Sequence, residues 1–438
     1  MPGKTMPNSE PPPGPAIFWG IASFEMLAMF RRGLFYAYLS IYLRHVLGLS
    51  VTETTLFATF PMVVNIIFQT FVWGGFSDRH QLRRTLIVWG EFLAGFGTIA
   101  VWYAHRLSDE PQWAGYIIIL GLTIIEIFWS MSNIGWSALI SDVYREEARQ
   151  SIQGRLASLG GLGRMGGVWI GGLLYDGLGR EAAGWGFHSG ALFFVAAAVM
   201  FLSIIPMLFV PEGGVHQEAL RQDHAQEDLD AVSGRVFWWF MVSMVLINFG
   251  RNSTAVIKAQ YLVLESGFAV SSTTLSYIVN TQSMAMVLTG FVAGWLGRRL
   301  GAGNSLLLGT IIAVAAAAII AAVLDLKLIY LSNFLQGFSD VVIMSASYAF
   351  ASILIPAGRR GRLFSIYNAT FFLSWGLAGT LIAGPVTDLL IGAGAEEGFA
   401  YRMSFLAAAL LTGAGLLALG ILLWGVVPRA KIRAKAIL

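Results

Sequence analysis

Ionisable side chains interrupt stretches of this sequence that otherwise suit a hydrocarbon environment: Glu25, Arg31, Arg32, Glu126, Arg164, Arg251, Lys258 and Asp340. A central arginine costs roughly 2.5–3.5 kcal/mol on insertion scales. Five such bases would then cost ~12–18 kcal/mol, as much as the whole stability of many domains. They must line an aqueous cavity, pair with acids, or both. Guanidinium is a rigid fork of donors matched to phosphate and carboxylate, so arginines facing a cavity would bind an anion. Buried carboxyls can carry protons or neutralise the bases. Glu25, Glu126 and Asp340 could form only an oxygen-ligand metal site, and no metal or other cofactor is expected.

The elements that position these residues follow from composition. The 438 residues are 56% hydrophobic and 12% charged, with a mean hydropathy of +0.68. Soluble domains carry about 25% charged residues. Long apolar runs predict a polytopic all-α membrane protein, because outer-membrane barrels show short alternating segments instead. There are six scattered His and no Cys, which excludes disulfides and thiolate metal sites. Residues 1–15 read as a disordered, Pro-rich tail with no cleavage site after a short apolar core. The pI near 9.1 does not imply nucleic acid, since the basic residues fall in short loops between apolar helices.

Spans of roughly 20 residues or more are expected near 16–43, 51–77, 85–105, 113–141, 153–175, 187–210, 236–263, 270–296, 305–324, 328–355, 363–391 and 400–427. Placing both termini inside puts eighteen Lys and Arg on that side and five opposite. The positive-inside rule therefore predicts a multi-pass inner (or plasma) membrane protein with cytoplasmic termini. An acidic linker, 211–235, separates a six-helix half at 16–210 from another at 236–427, and 428–438 form a basic tail.

The halves resemble each other. Gly74-Gly75-Phe76-Ser77-Asp78-Arg79-His80-Gln81 aligns with Gly294-Trp295-Leu296-Gly297-Arg298-Arg299-Leu300-Gly301 at an offset of 220, which also places Arg31 on Arg251. Gly171-Gly172-Leu173-Leu174-Tyr175-Asp176 resembles Ala383-Gly384-Pro385-Val386-Thr387-Asp388, and Glu126 matches Asp340. Such duplication suggests two bundles rocking about a central site.

With these features the chain resembles the major facilitator superfamily over all twelve helices. GGFSDRHQLRR (74–84) fits the family's G-x-x-x-D-R-x-G-R-R/K pattern at Gly74, Asp78, Arg79 and Arg83, with Gln81 and Leu82 departing from it. The resemblance implies that these four residues form a gate stabilising one access state. Gly163 to Gly172 is similar to the G-x-x-x-G-P-x-x-G-G signature of drug:proton antiporters, but Val168 replaces the proline and Arg164 intrudes. Small-xxx-small spacing also serves ordinary helix packing. Arg31 and Arg251, on the first helix of each half, are similar to the arginine pair that holds phosphate in organophosphate:phosphate antiporters.

The sequence thus predicts a secondary transporter, not an enzyme, moving a small, anionic organic solute by alternating access with protons or a counter-anion. Arg31 and Arg251 would hold the anion. Asn248, Lys258, Tyr38 and Arg32 are further candidates, with Tyr42 on the same face as Tyr38. Arg32 has a second reading, neutralisation by Glu25 seven residues earlier on its own helix. Glu25, Glu126 or Asp340 would couple movement to protons, or pair with Arg164, Arg31 or Lys258. The alternatives are a proton-driven exporter of amphipathic or cationic compounds and a non-transporting receptor or assembly factor. No nucleotide-binding loop, nucleophile elbow or zinc-protease pair is present.

Overall fold

The computed structural model describes residues 15–144, 146–213, 234–322, 324–355 and 360–426. Almost all of the expected N-terminal tail, most of the 211–235 linker and the basic tail lie outside the described residues.

Among the described residues, twelve spans are built from fifteen α-helices. In the first half these are α1 (Pro15–Ile41), α2 (Val51–Phe68), α3 (Gly74–His80), α4 (Arg83–Arg106), α5 (Pro111–Val143), α6 (Glu146–Tyr175), α7 (Trp185–His188) and α8 (Ala191–Met207). The second half has α9 (Gly234–Ser253), α10 (Ile257–Val263), α11 (Ser272–Ala322), α12 (Leu326–Leu354), α13 (Arg360–Ala378), α14 (Gly384–Gly392) and α15 (Glu397–Ile421). A π-helical turn (Gln69–Trp73) joins α2 to α3 in one span, and another (Gly379–Ala383) joins α13 to α14. The expected loop between residues 296 and 305 contracts to a reversal at Gly301, whose φ of 78° only glycine adopts without strain, so α11 contains two spans. At the equivalent turn of the first half Gln81 takes φ 56°. The residue departing from the family's glycine therefore sits in a left-handed conformation that costs an L-residue roughly 1–2 kcal/mol.

Close approach of helices explains the glycine series in α6. A Cβ at Gly163 would run into the Met26 carbonyl, one at Gly167 into the Phe30 carbonyl, and one at Gly171 would lie 2.6 Å from the Leu34 carbonyl. The run that resembles an antiporter signature is here the backbone-to-backbone seam between α1 and α6.

The cores show how the halves meet. One apolar cluster draws on both, including Tyr42, Phe187, Tyr261, Leu275 and Tyr401. Away from it the core divides, one part around Ile21, Ile87 and Leu139, the other around Phe240, Phe350 and Tyr367. At the shared end Arg44 and Glu397 form an ion pair at 2.6 Å. At the opposite end, which carries the 74–84 turn, a Cβ at Gly75, Gly154, Gly290 or Gly297 would have nothing within 4 Å. Phe71 and Phe291 are each 79% exposed there. The halves are thus joined at one end and parted at the other, and the cleft between them opens toward the 74–84 turn.

Candidate functional site

The intramembrane charges divide into those enclosed within one half and those facing the cleft. Arg31 is 4% exposed. Its Nη1 donates to Glu91 Oε2 on α4 at 2.9 Å, and its guanidinium lies 4.5 Å from the centre of the Trp129 ring on α5. Ser132 donates to the other Glu91 oxygen at 3.0 Å. A carboxylate and a ring face therefore hold Arg31 inside the first half, and the Ser132 hydroxyl fixes that carboxylate.

Arg251 is held likewise inside the second half. It forms an ion pair with Asp340 on α12, donates through Nε to Asn248 Oδ1 at 3.1 Å, and lies 5.6 Å from the Phe371 ring centre. Of the expected clamp, this structure shows Arg31 and Arg251 each turned toward an acid of its own half, Glu91 and Asp340. Glu91 escaped the sequence reading, although an acid between Gly90 and Phe92 in an apolar run was the available signal.

Two further candidates are packed inside the protein. Tyr38 is fully buried and donates to the Val168 carbonyl at 2.7 Å, so it fastens α1 to α6 and lines no cavity; Tyr42 is packed on Phe187. Asn248 is also fully buried, bonded to Thr370 at 3.1 Å and to Arg251.

Arg32, one residue from Arg31 and about 100° around the helix, is exposed. Its one hydrogen bond among the described residues is a long contact to Met29 Sδ at 3.9 Å. Glu25 lies within electrostatic reach of Arg32 without forming an ion pair, and packs on α6 where a Gly160 Cβ would sit 3.1 Å from its Oε1. Arg164 is half-buried, within reach of Arg32 and of Asp340 across the cleft. Lys258 of the other half is within reach of Arg164. Among the described residues, no carboxylate lies within 4 Å of Arg32, Arg164 or Lys258. Lys258, 9% exposed, rests on amide oxygens: Asn333 at 2.7 Å, Gln336 at 2.7 Å and Gln282 at 3.4 Å.

The two acids related by the repeat are treated differently. Gln282 of α11 donates to Asp340 Oδ2 at 3.0 Å, and Asn65 of α2 donates to Glu126. An amide on the second span of each half thus meets the acid on the fourth. Asp340 additionally holds Arg251. Among the described residues Glu126 holds no base, because Arg31 has gone to Glu91.

Of the expected gate residues, Arg83 is buried, with Nε on Asp142 Oδ2 at 3.0 Å and further bonds to Ser77 and Gln81. These tie α3, the turn and α5 together. Gly74 starts α3, Arg79 is exposed, and the Asp78 side chain lies outside the described residues. No group of His, Asp and Glu suited to a metal occurs among the described residues.

The chain is 25% identical over 342 residues to the multidrug resistance protein MdtG of Enterobacter lignolyticus (strain SCF1), covering 77% of this chain and 75% of the relative. A shorter match, 25% over 132 residues, joins 30% of the chain to 28% of the galactose-proton symporter of Escherichia coli (strain K12). Among solved structures it resembles a point mutant of the nucleoside transporter NupG, with a TM-score of 0.67, 14% identity, and coverage of 93% of this chain and 99% of that one. A bacterial homolog of the human lysosomal transporter Spinster, inward-facing and occupied, matches at a TM-score of 0.66 and 14% identity over 96% of this chain and 98% of its own. The sequence profile of the Major Facilitator Superfamily matches residues 21–263 and 240–437. With twelve spans in two related halves around a charged cleft, this multi-pass membrane transporter belongs to the Major Facilitator Superfamily.

Proposed function

We propose that the protein carries a small organic anion, bearing a phosphate or carboxylate, through the central cleft by alternating access in the inner (or plasma) membrane, with both termini cytoplasmic. One observation carries this reading. Arg32, Arg164 and Lys258, the last buried on amide oxygens of the second half, form a chain of three cations from both halves, each within electrostatic reach of the next and none with a carboxylate within 4 Å among the described residues. Of these, Lys258 is buried and Arg164 half-buried; cations so placed without a carboxylate in contact are expensive at this depth, and a solute anion entering between the halves offsets that cost. Arg32 and Arg164 supply fork-shaped donors from the first half, and Lys258 a point charge from the second. Arg31 and Arg251 then support the site indirectly, by holding α1 against α4 and α9 against α12. Glu126, with no base beside it among the described residues, is the group assigned to proton coupling.

The relationship to MdtG favours a second reading, a proton-driven exporter of amphipathic or cationic compounds, in which Glu126 and Glu25 meet the solute. A thermal-shift panel on the purified protein separates the two, since a bound ligand raises the melting point by mass action. Organophosphates or dicarboxylates stabilise the protein under the first reading, lipophilic cations under the second. In proteoliposomes Arg32→Ala and Arg164→Ala each lower transport at limiting solute at least about tenfold, as expected for loss of a charge-assisted bond. Wild-type rates in both variants would overturn the anion site.

A further inference from the structure

We infer that Asp388 and Asp176 form a two-part latch, each binding the N-terminal turn of a helix in the opposite half, and that this latch sets how often the joined end opens. The inference is independent of which solute is carried.

The backbone of α2 shows why. A helix leaves its first N–H groups without intrahelical partners. Thr54 N–H already reaches the Ser50 carbonyl. Glu53 N–H is met by Ser50 Oγ at 3.2 Å, in a capping box completed by Ser50 N–H on Glu53 Oε2 at 2.7 Å. The two remaining donors are met from the other half. Val51 N–H donates to Asp388 Oδ1 at 2.9 Å, and Thr52 N–H to Asp388 Oδ2 at 2.7 Å. Both carboxylate oxygens of one half thus complete the helix cap of the other, where the helix dipole also favours negative charge. Gly384, one turn before Asp388, admits the contact, since a Cβ there would lie 2.8 Å from Thr52 Cα.

The sequence repeat that aligns Asp388 with Asp176 places the second acid equivalently, at the end of α6 against the start of α11. Ser272 Oγ donates to Asp176 Oδ2 at 2.6 Å, and a Gly172 Cβ would lie 2.9 Å from the Ser272 carbonyl. Here only one oxygen crosses between halves. The other accepts Gly179 N–H of its own half at 2.9 Å. The latch is therefore lopsided: two backbone donors at Asp388, one neutral hydroxyl at Asp176. When the joined end parts, Val51 and Thr52 exchange a carboxylate for water, so the latch raises the free energy of the state that opens there.

The absence of cysteine makes paired spin labels unambiguous. Asp109→Cys with Ala393→Cys reads the joined end, and His80→Cys with Arg299→Cys reads the parted end. Asp388→Ala is expected to raise the ratio of parted to joined molecules at the first pair by about tenfold or more, with the second pair closing in step. Asp176→Ala shifts the same ratio less, by about threefold, for one neutral donor. Val51→Pro removes one latch donor while leaving the capping box, because proline suits the first helical position and Ser50 already has the extended conformation proline requires. It should shift the ratio in the same direction as Asp388→Ala. Unchanged distance distributions in a monodisperse Asp388→Ala protein would overturn the latch. If that variant does not fold, unchanged distributions in both Val51→Pro and Asp388→Asn overturn it. A lower melting point with no change in distances would also overturn it, because Asp388 would then be a local helix cap and nothing more.

Discussion

The two halves began from one plan and have diverged at a single choice of partner. In the second half Arg251, Asp340 and Gln282 form one connected group: base to acid on the fourth span, acid to amide on the second. The first half has the same amide–acid contact, Asn65 to Glu126, but its arginine has left for Glu91 on the third span. The exchange leaves Glu126 without a base among the described residues and buries an ion pair inside the first half. The pair's energetics differ too, since the side chains of Arg31 and Glu91 are 5% and 4% exposed, against 10% and 20% for Arg251 and Asp340. Equivalent positions therefore serve unequal roles. The better-buried pair holds two helices of the first half together, and Glu126 keeps only its amide partner among the described residues.

Substitutions can break this contrast, and the largest effect is expected at the sealed pair. Arg31→Ala strands Glu91 and should cost about 3–5 kcal/mol, read as a lower melting point or failure to fold. Arg251→Ala leaves Asp340 with Gln282 and more access to water, so its cost should be smaller by at least ~1 kcal/mol. Equal costs would remove the distinction between the halves. Next comes Glu126→Gln, which should abolish the response of transport to an imposed pH gradient and change stability by less than about 1 kcal/mol. An intact response would return Glu126 to the same structural class as Asp340. The smallest effect is expected from Tyr38→Phe. Loss of its bond to Val168 should cost about 1 kcal/mol of stability and leave solute affinity unchanged. An altered affinity would place Tyr38 in the cleft after all.

Much of the architecture is legible in one dimension because insertion in a bilayer imposes length and hydropathy on each span. The runs around 51–77, 85–105, 113–141 and 328–355 correspond closely to helices beginning at Val51, Arg83, Pro111 and Leu326. The repeat was legible for the same reason: offsets of 220 and 212 survive where turns and close packing restrict residue type. Gln81 and Gly301 both keep a positive φ at matched positions. The glycines of α6 were visible too, but their role was not. A spacing that fits an antiporter signature equally fits a steric seam, and only the Met26, Phe30 and Leu34 carbonyls beside Gly163, Gly167 and Gly171 decide between them.

By itself the sequence determined that this chain crosses a membrane twelve times in two related halves and carries charges too costly to be idle. Only the tertiary structure decided which charge answers which. Arg31 and Arg32 are adjacent and chemically identical, yet about 100° of helical rotation sends one to Glu91 beneath Trp129 and the other into the cleft. Asp388 lies more than three hundred residues from the helix it caps. Hydropathy is a property of segments and can be read along the chain, whereas the pairing of charges depends on helix rotation and on which faces meet, and those are fixed only when the bundle packs.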